Sequence, residues 1–269
     1  MISVLSSIAE YPERVKKMFK TQELNKEGIV AMEVFIKGRP EIITIDDRLP
    51  YGSRAPLFLR KTSDSAYWAH FAEKLFAKIN VNYEHIGWGW MNEALYIFTG
   101  APSVLLKPTS FTEDQFWDLM KDSDENKYIM SAACMTGRSG IVGGHAYSLL
   151  GVQDLVDERG QLVERLLLVR NPWGKTEFIG DWSDRSAKWT TFFKNQVKGH
   201  NFSTTDGLFY ISVADFRSIF SHFTITYYHD DWQRSFYERV DSGADQHSYW
   251  FTVPRTQEVF IGGNVYMGR

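Results

Sequence analysis

The stretch Gly143–Gly174, GGHAYSLLGVQDLVDERGQLVERLLLVRNPWG, decides the reading of this chain. Its apolar runs HAYSLLGVQDL and ERLLLVRNPWG flank the polar turn DERGQ, so the pattern predicts a strand, a turn and a returning strand. Such a hairpin brings its two far ends together, and those ends carry His145 and Asn171. An imidazole beside a carboxamide has a definite chemistry. An amide oxygen that accepts one ring N–H fixes the tautomer and leaves the other nitrogen free to take a proton from a thiol. The one cysteine of the chain, Cys134, ends the apolar stretch KYIMSAAC, which reads as a strand. A free cysteine there is expected to be a small buried hydrophobe and not a nucleophile.

Working outward, three blocks emerge. In the first, Ile2, Leu5 and Ile8 recur at a helical period, and Pro12 can open the next helix before Val15, Met18 and Phe19. Short apolar strands follow from Gly28 and from Glu41, the second ending at Asp46 and Asp47. Trp68, Phe71, Leu75, Phe76 and Ile79 then mark one face of a helix over about 67–80. Gly87 and Gly89 interrupt the pattern and suggest a lobe boundary. The second block is mostly β, with one amphipathic helix expected over Glu113–Lys121. The third alternates polar and apolar residues from about 231. The expected domains are therefore 1–85, a helical lobe; 86–230, a β-rich lobe holding His145 and Asn171; and 231–269, the start of a further β domain.

Composition bounds the function. A chain of 269 residues with 43% apolar content and nine Trp can bury a large core. A formal charge of −3 leaves no basic excess to neutralise phosphates, so nucleic acid is not an expected partner. A single cysteine excludes a disulfide framework and fits a reducing, cytoplasmic compartment. No apolar run is long enough to span a bilayer. Zinc would need clustered Cys and His, which the sequence lacks; His70, His85, His200, His222, His229 and His247 sit in no ligand spacing and read as surface or packing residues. The triplet Asn201-Phe202-Ser203 matches a glycosylation sequon but carries little weight.

The phrases GGHAYSLLGV, RNPWGKTEFIGDWSD and DGLFYISVADF resemble the histidine segment, the asparagine segment and the following strand of the calpain family of cysteine endopeptidases. ITIDDRLP and YWAHFAEKLFAKINVNYEHIGWGWMNEALYIFTG are similar to the family's first subdomain and its link into the second. The resemblance spans about residues 1–230. It implies an α+β, papain-like two-lobed protease core, with a cleft between a helical and a β-rich lobe, followed by the start of a C2-like β-sandwich. Cysteine, histidine, asparagine is the papain-type order, and the family carries its nucleophile in a phrase G-x-C-W-x-x-[SA] heading a helix. MISVLSSIAEYPERVKKMF resembles that helix from just after the phrase. The sulfur is then expected two residues before Met1, with the oxyanion glutamine also upstream, and the chain as given is expected to be inactive.

The same resemblance implies calcium. Glu177, Asp184 and Asp206 match family ligand positions, Thr204 could offer a carbonyl, but Leu208 and Ala66 stand where further glutamates are expected. A hydrocarbon cannot coordinate calcium, so the first-lobe site is expected to be absent and the second weakened. Trp173 resembles the family tryptophan that shields the asparagine–histidine bond; Asp46-Asp47 resemble a family motif that a strand-ending turn explains equally well. Two functions are implied. One is the protease core of a calpain-like endopeptidase that performs limited proteolysis of protein substrates within a larger protein. The other is a non-catalytic calpain-like scaffold. Keeping both His145 and Asn171 favours the first; losing oxygens at Ala66 and Leu208 favours the second.

Overall fold

The computed structural model of the chain describes residues 1–60, 66–197, 199–235 and 259–261. Its first part opens with α1 (Ile2–Ile8) and α2 (Pro12–Met18), whose first turn holds the expected proline. Pro12 loses nothing there, because that N–H has no helical partner. The strands β1 (Ile29–Ile36) and β2 (Arg39–Asp46) form an antiparallel hairpin. Its two turn residues, Lys37 and Gly38, both have positive φ, 50° and 84°, the backbone that matches the twist of a tight hairpin. Helix α3 (Trp68–Ile79) lies within a residue of its expected limits. Helix α4 (Met91–Thr99) ends at the left-handed Gly100, where a Cβ would come within 2.5 Å of the Phe35 ring.

The second part contains β3 (Ser103–Leu106), α5 (Glu113–Glu125), β4 (Ile129–Cys134), β5 (His145–Val156), β6 (Leu162–Arg170), the single turn α6 (Thr191–Lys194), β7 (Leu208–Ser212), α7 (Val213–Ile219) and β8 (His222–Thr226). These strands make one antiparallel sheet in the order β3-β8-β4-β5-β6-β7. The deciding hairpin is therefore present. Asp157 closes its turn by accepting the N–H groups of Arg159 and Gln161, both at 2.8 Å, with Gly160 at positive φ.

Two expectations are corrected here. The helix expected over 113–121 runs on to Glu125. Its start is well signalled, since Thr112 and Gln115 make a reciprocal capping box, whereas the apolar face that set its end stops short. DGLFYISVADF is not one strand. The Ser212 hydroxyl accepts the Asp215 N–H and starts α7, whose Val213, Phe216 and Ile219 turn one face into the core.

Burial explains why the sheet read as nearly continuous apolar sequence. Met130, Ala132, Tyr147 and Leu149 face a core with Phe116, Phe216 and Phe223 beneath α5 and α7. Ile129, Ala133 and Ala146 face the opposite core, built from α1, β1, α3 and α4. With both faces covered, the alternation of a half-exposed strand disappears. That second core, with α4 packed in it, runs as far as Ala101 and also takes in Tyr228. The expected sandwich start at 231–269 falls almost wholly outside the described residues. Among those that are described, Phe260 stacks on Tyr227 with ring centroids 4.8 Å apart.

Candidate active site

Helix α1 crosses the central strands. The Ser7 hydroxyl donates to the Met130 carbonyl at 2.9 Å, and the Ser148 hydroxyl donates to the Ser3 carbonyl at 3.0 Å. Helix α1 is thereby held against β4 and β5, the strand whose first residue is His145. The other arm of the hairpin ends one residue before Asn171, and the two side chains meet. His145 Nε2 lies 2.9 Å from Asn171 Oδ1.

The bonding around the amide settles its orientation. Asn171 Nδ2 donates to the carbonyls of Lys175 (2.7 Å) and Thr176 (2.8 Å), so the atom facing the ring is the oxygen. That oxygen also accepts the Trp173 N–H at 3.1 Å. His145 must then donate through Nε2, which leaves Nδ1 as the basic nitrogen. Trp173 covers the pair, its ring centroid 4.2 Å from that of the imidazole, while its outer face stays in solvent. Tyr147 meets the same ring edge-on at 4.9 Å.

Asn171 is wholly buried. Its backbone is pinned by Gly207, whose carbonyl accepts the Asn171 N–H at 2.7 Å. Gly207 sits at φ +81°, and a Cβ there would fall 2.7 Å from the Asn171 carbonyl oxygen, so only glycine allows this approach. Neither Gly207 nor the carbonyls of Lys175 and Thr176 could be singled out beforehand, because main-chain partners leave no mark on side-chain chemistry.

Burial lowers the pKa of His145; the Asn171 bond opposes this and the amino-terminal charge at Met1 adds to it. The native state therefore binds fewer protons here than the unfolded chain does in mild acid. The stability that this neutral ring contributes is complete above the ordinary value of 6.5 and is lost as pH falls below it. The melting temperature of the chain is expected to fall more steeply between pH 7 and pH 5 than that of His145→Gln. Parallel slopes would assign the acid sensitivity to other groups.

Cys134 lies opposite His145 on the β4–β5 ladder, yet its thiol is not presented to the ring. It is fully buried and donates to the carbonyls of Thr136 (3.1 Å) and Ile219 (3.4 Å). Burial also raises its pKa, which keeps it a thiol.

The three expected calcium ligands lie on loops beyond the asparagine. Burial raises the pKa of Glu177, the Gly207 N–H opposes this, and the charges of Asp184 and Asp206 add to the rise. Each has an oxygen already engaged. Glu177 accepts the Gly207 N–H (2.8 Å), Asp206 accepts the Leu208 N–H (2.9 Å), and Asp184 bonds His200 (2.8 Å). Among the described residues, no three His, Cys, Asp or Glu side chains are grouped to hold a metal. The set suits calcium in charge and not in arrangement. Asp46 is occupied elsewhere: its carboxylate pairs with Lys74 at 2.7 Å, and that bond lowers its pKa.

Comparison with known proteins supplies the family. The sequence model of the calpain family of cysteine proteases matches residues 1–227. The chain is 32% identical to human (Homo sapiens) calpain-14 over 183 residues, covering 66% of the chain and 26% of that protein. It is 32% identical to mouse (Mus musculus) calpain-8 over 232 residues, covering 79% and 31%. A calpain of Schistosoma mansoni is 32% identical over 241 residues, covering 82% and 31%. The chain thus spans about a third or less of these curated relatives. No helix among the described residues is long and apolar enough to cross a membrane. Because the family model covers residues 1–227 and relatives about 30% identical cover most of the chain, the chain belongs to the calpain family of cysteine proteases.

Proposed function

We propose that this chain is the protease core of a calpain-type cysteine endopeptidase that performs limited proteolysis of proteins in a reducing, cytoplasmic setting, with His145 as general base and then acid and Asn171 as its orienting partner. The observation that carries the reading is the 2.9 Å bond between His145 Nε2 and Asn171 Oδ1, which leaves Nδ1 free for proton transfer. A thiol delivered ahead of α1 would enter on the β5 side, because the Ser148 hydroxyl bonds the Ser3 carbonyl and holds α1 against the strand that begins at His145. The attack then proceeds in the ordinary way. Nδ1 takes the thiol proton, the thiolate adds to a peptide carbonyl, and the imidazolium returns the proton to the leaving amine. The only sulfhydryl of the given sequence is locked in the core, so the chain in this form is proposed to be inactive.

The test restores the thiol. A chain extended at its amino terminus to place cysteine two residues before Met1 is expected to react with iodoacetamide near pH 6 at least about tenfold faster than an unperturbed thiol, because pairing with an imidazole lowers a thiol pKa. His145→Ala in the same chain removes the excess. Equal rates with and without His145 would end the proposal. The scaffold reading loses ground to the retained, fully bonded asparagine, which a pure binding surface does not require.

Calcium enters the proposal in weakened form only. Glu177, Asp184 and Asp206 each have one oxygen already committed and Leu208 offers no side-chain oxygen, so binding is proposed to need millimolar metal.

A further inference from the structure

His200 makes the most unusual polar contact outside the proposed active site. Its Nε2 lies 2.8 Å from Asp184 Oδ1, and the two side chains are only 1% and 2% exposed. Phe202 and Tyr210 meet the ring edge-on at 4.6 and 5.1 Å, closing it off. Asp184 Oδ2 and His200 Nδ1 are buried with no hydrogen-bond partner. Such groups are costly to bury singly, so each is held in place chiefly by the other. The pair bridges the stretch after Asn171 to the loop before β7. Trp182 and Trp189 stack edge-on above the same small core, at 5.0 Å.

We infer that the buried His200–Asp184 pair holds these loops together in place of calcium, with one Asp184 oxygen committed to His200 and not to the cation. The inference rests on reading Glu177, Asp184 and Asp206 as the calcium position. Its metal-free arm tests the pair independently of that reading, and neither arm depends on peptidase activity. A carboxylate committed to a buried imidazole supplies one oxygen fewer to a cation that needs six to eight. The loops are consequently ordered before metal arrives. Gly207 bonds both Asn171 and Glu177, so the Glu177 carboxylate adjoins the proposed active site.

The experiment is thermal melting of the chain in EGTA, in 5 mM calcium and in 5 mM magnesium, for wild type, His200→Ala and His200→Gln. In EGTA, His200→Ala is expected to melt roughly 6–15 °C lower, the loss expected for breaking a buried pair in a protein of this size. His200→Gln, which keeps a donor toward Asp184, should recover at least half of that loss. Calcium should move the wild-type midpoint by no more than about 1 °C and the alanine variant by more, since Asp184 is then released. The inference is overturned by an alanine variant melting within about 2 °C of wild type in EGTA, by glutamine faring no better than alanine, or by a calcium shift at least as large in wild type. Should His200→Ala fail to fold, calorimetric titration of the wild type with calcium decides: a saturable isotherm with a micromolar Kd overturns the inference, and its absence up to 5 mM supports it.

Discussion

Asn171→Ala is expected to destabilise the chain by about 2–4 kcal/mol and to free the imidazole that it orients. Four hydrogen bonds disappear together: those from Nδ2 to the carbonyls of Lys175 and Thr176, and those to Oδ1 from Trp173 and His145. The amide is wholly buried, so alanine leaves a polar hole rather than a solvated surface. Denaturant unfolding of the variant measures the loss, and a change under about 1 kcal/mol would mean that water replaces the amide at little cost. A second readout separates positioning from stability. In the chain carrying the restored cysteine, Asn171→Ala should lower the alkylation rate near neutral pH, whereas an equally destabilising change remote from the ring should not.

Phe116→Ala is expected to produce the largest loss of stability, about 3–5 kcal/mol. The ring is fully buried on α5, stacked against Phe216 with centroids 5.6 Å apart and edge-on to Phe223 at 5.3 Å. It therefore ties α5 to α7 and to β8, over the sheet whose β5 strand begins at His145. Removing it opens a cavity bounded by rigid neighbours that cannot collapse far, and the cost of such a change grows with the volume left empty. Thermal melting should show a drop of roughly 10 °C or more. A drop of only a few degrees would show that α5 slides to fill the gap.

The contrast between these two positions marks what could be read beforehand. Phe116 declared itself through helical spacing with Leu119 and Met120, a local pattern that burial imposes on any amphipathic helix. His145 and Asn171 declared themselves through two phrases joined by an obvious turn, because a hairpin's geometry follows from short-range sequence. The role of Gly207 was not legible. Its value lies in a carbonyl of Asn171 only 2.7 Å from where a side chain would start, a relation between residues far apart along the chain. His200, read as a surface or packing residue, does pack in a core, but its bond to Asp184 was not legible for the same reason. Its spacing from other histidines says nothing about Asp184, which comes to it only when the loops around Trp182 and Trp189 close. The end of DGLFYISVADF was misread because strand and helix propensities overlap in a short apolar run, and the Ser212 cap alone breaks the tie.

By itself the sequence determined the hairpin, the identity and order of the imidazole and the carboxamide, the helices at either side of Pro12, and the burial of Cys134. These depend on turn chemistry, periodicity and residue type, all of which act between neighbours. Only the tertiary structure decided which nitrogen of His145 is bonded, what holds the Asn171 amide in its orientation, and that Asp184 already has a buried partner. Those depend on main-chain carbonyls and side chains brought together from separate strands and loops, where bonding is set by packing and not by proximity along the chain.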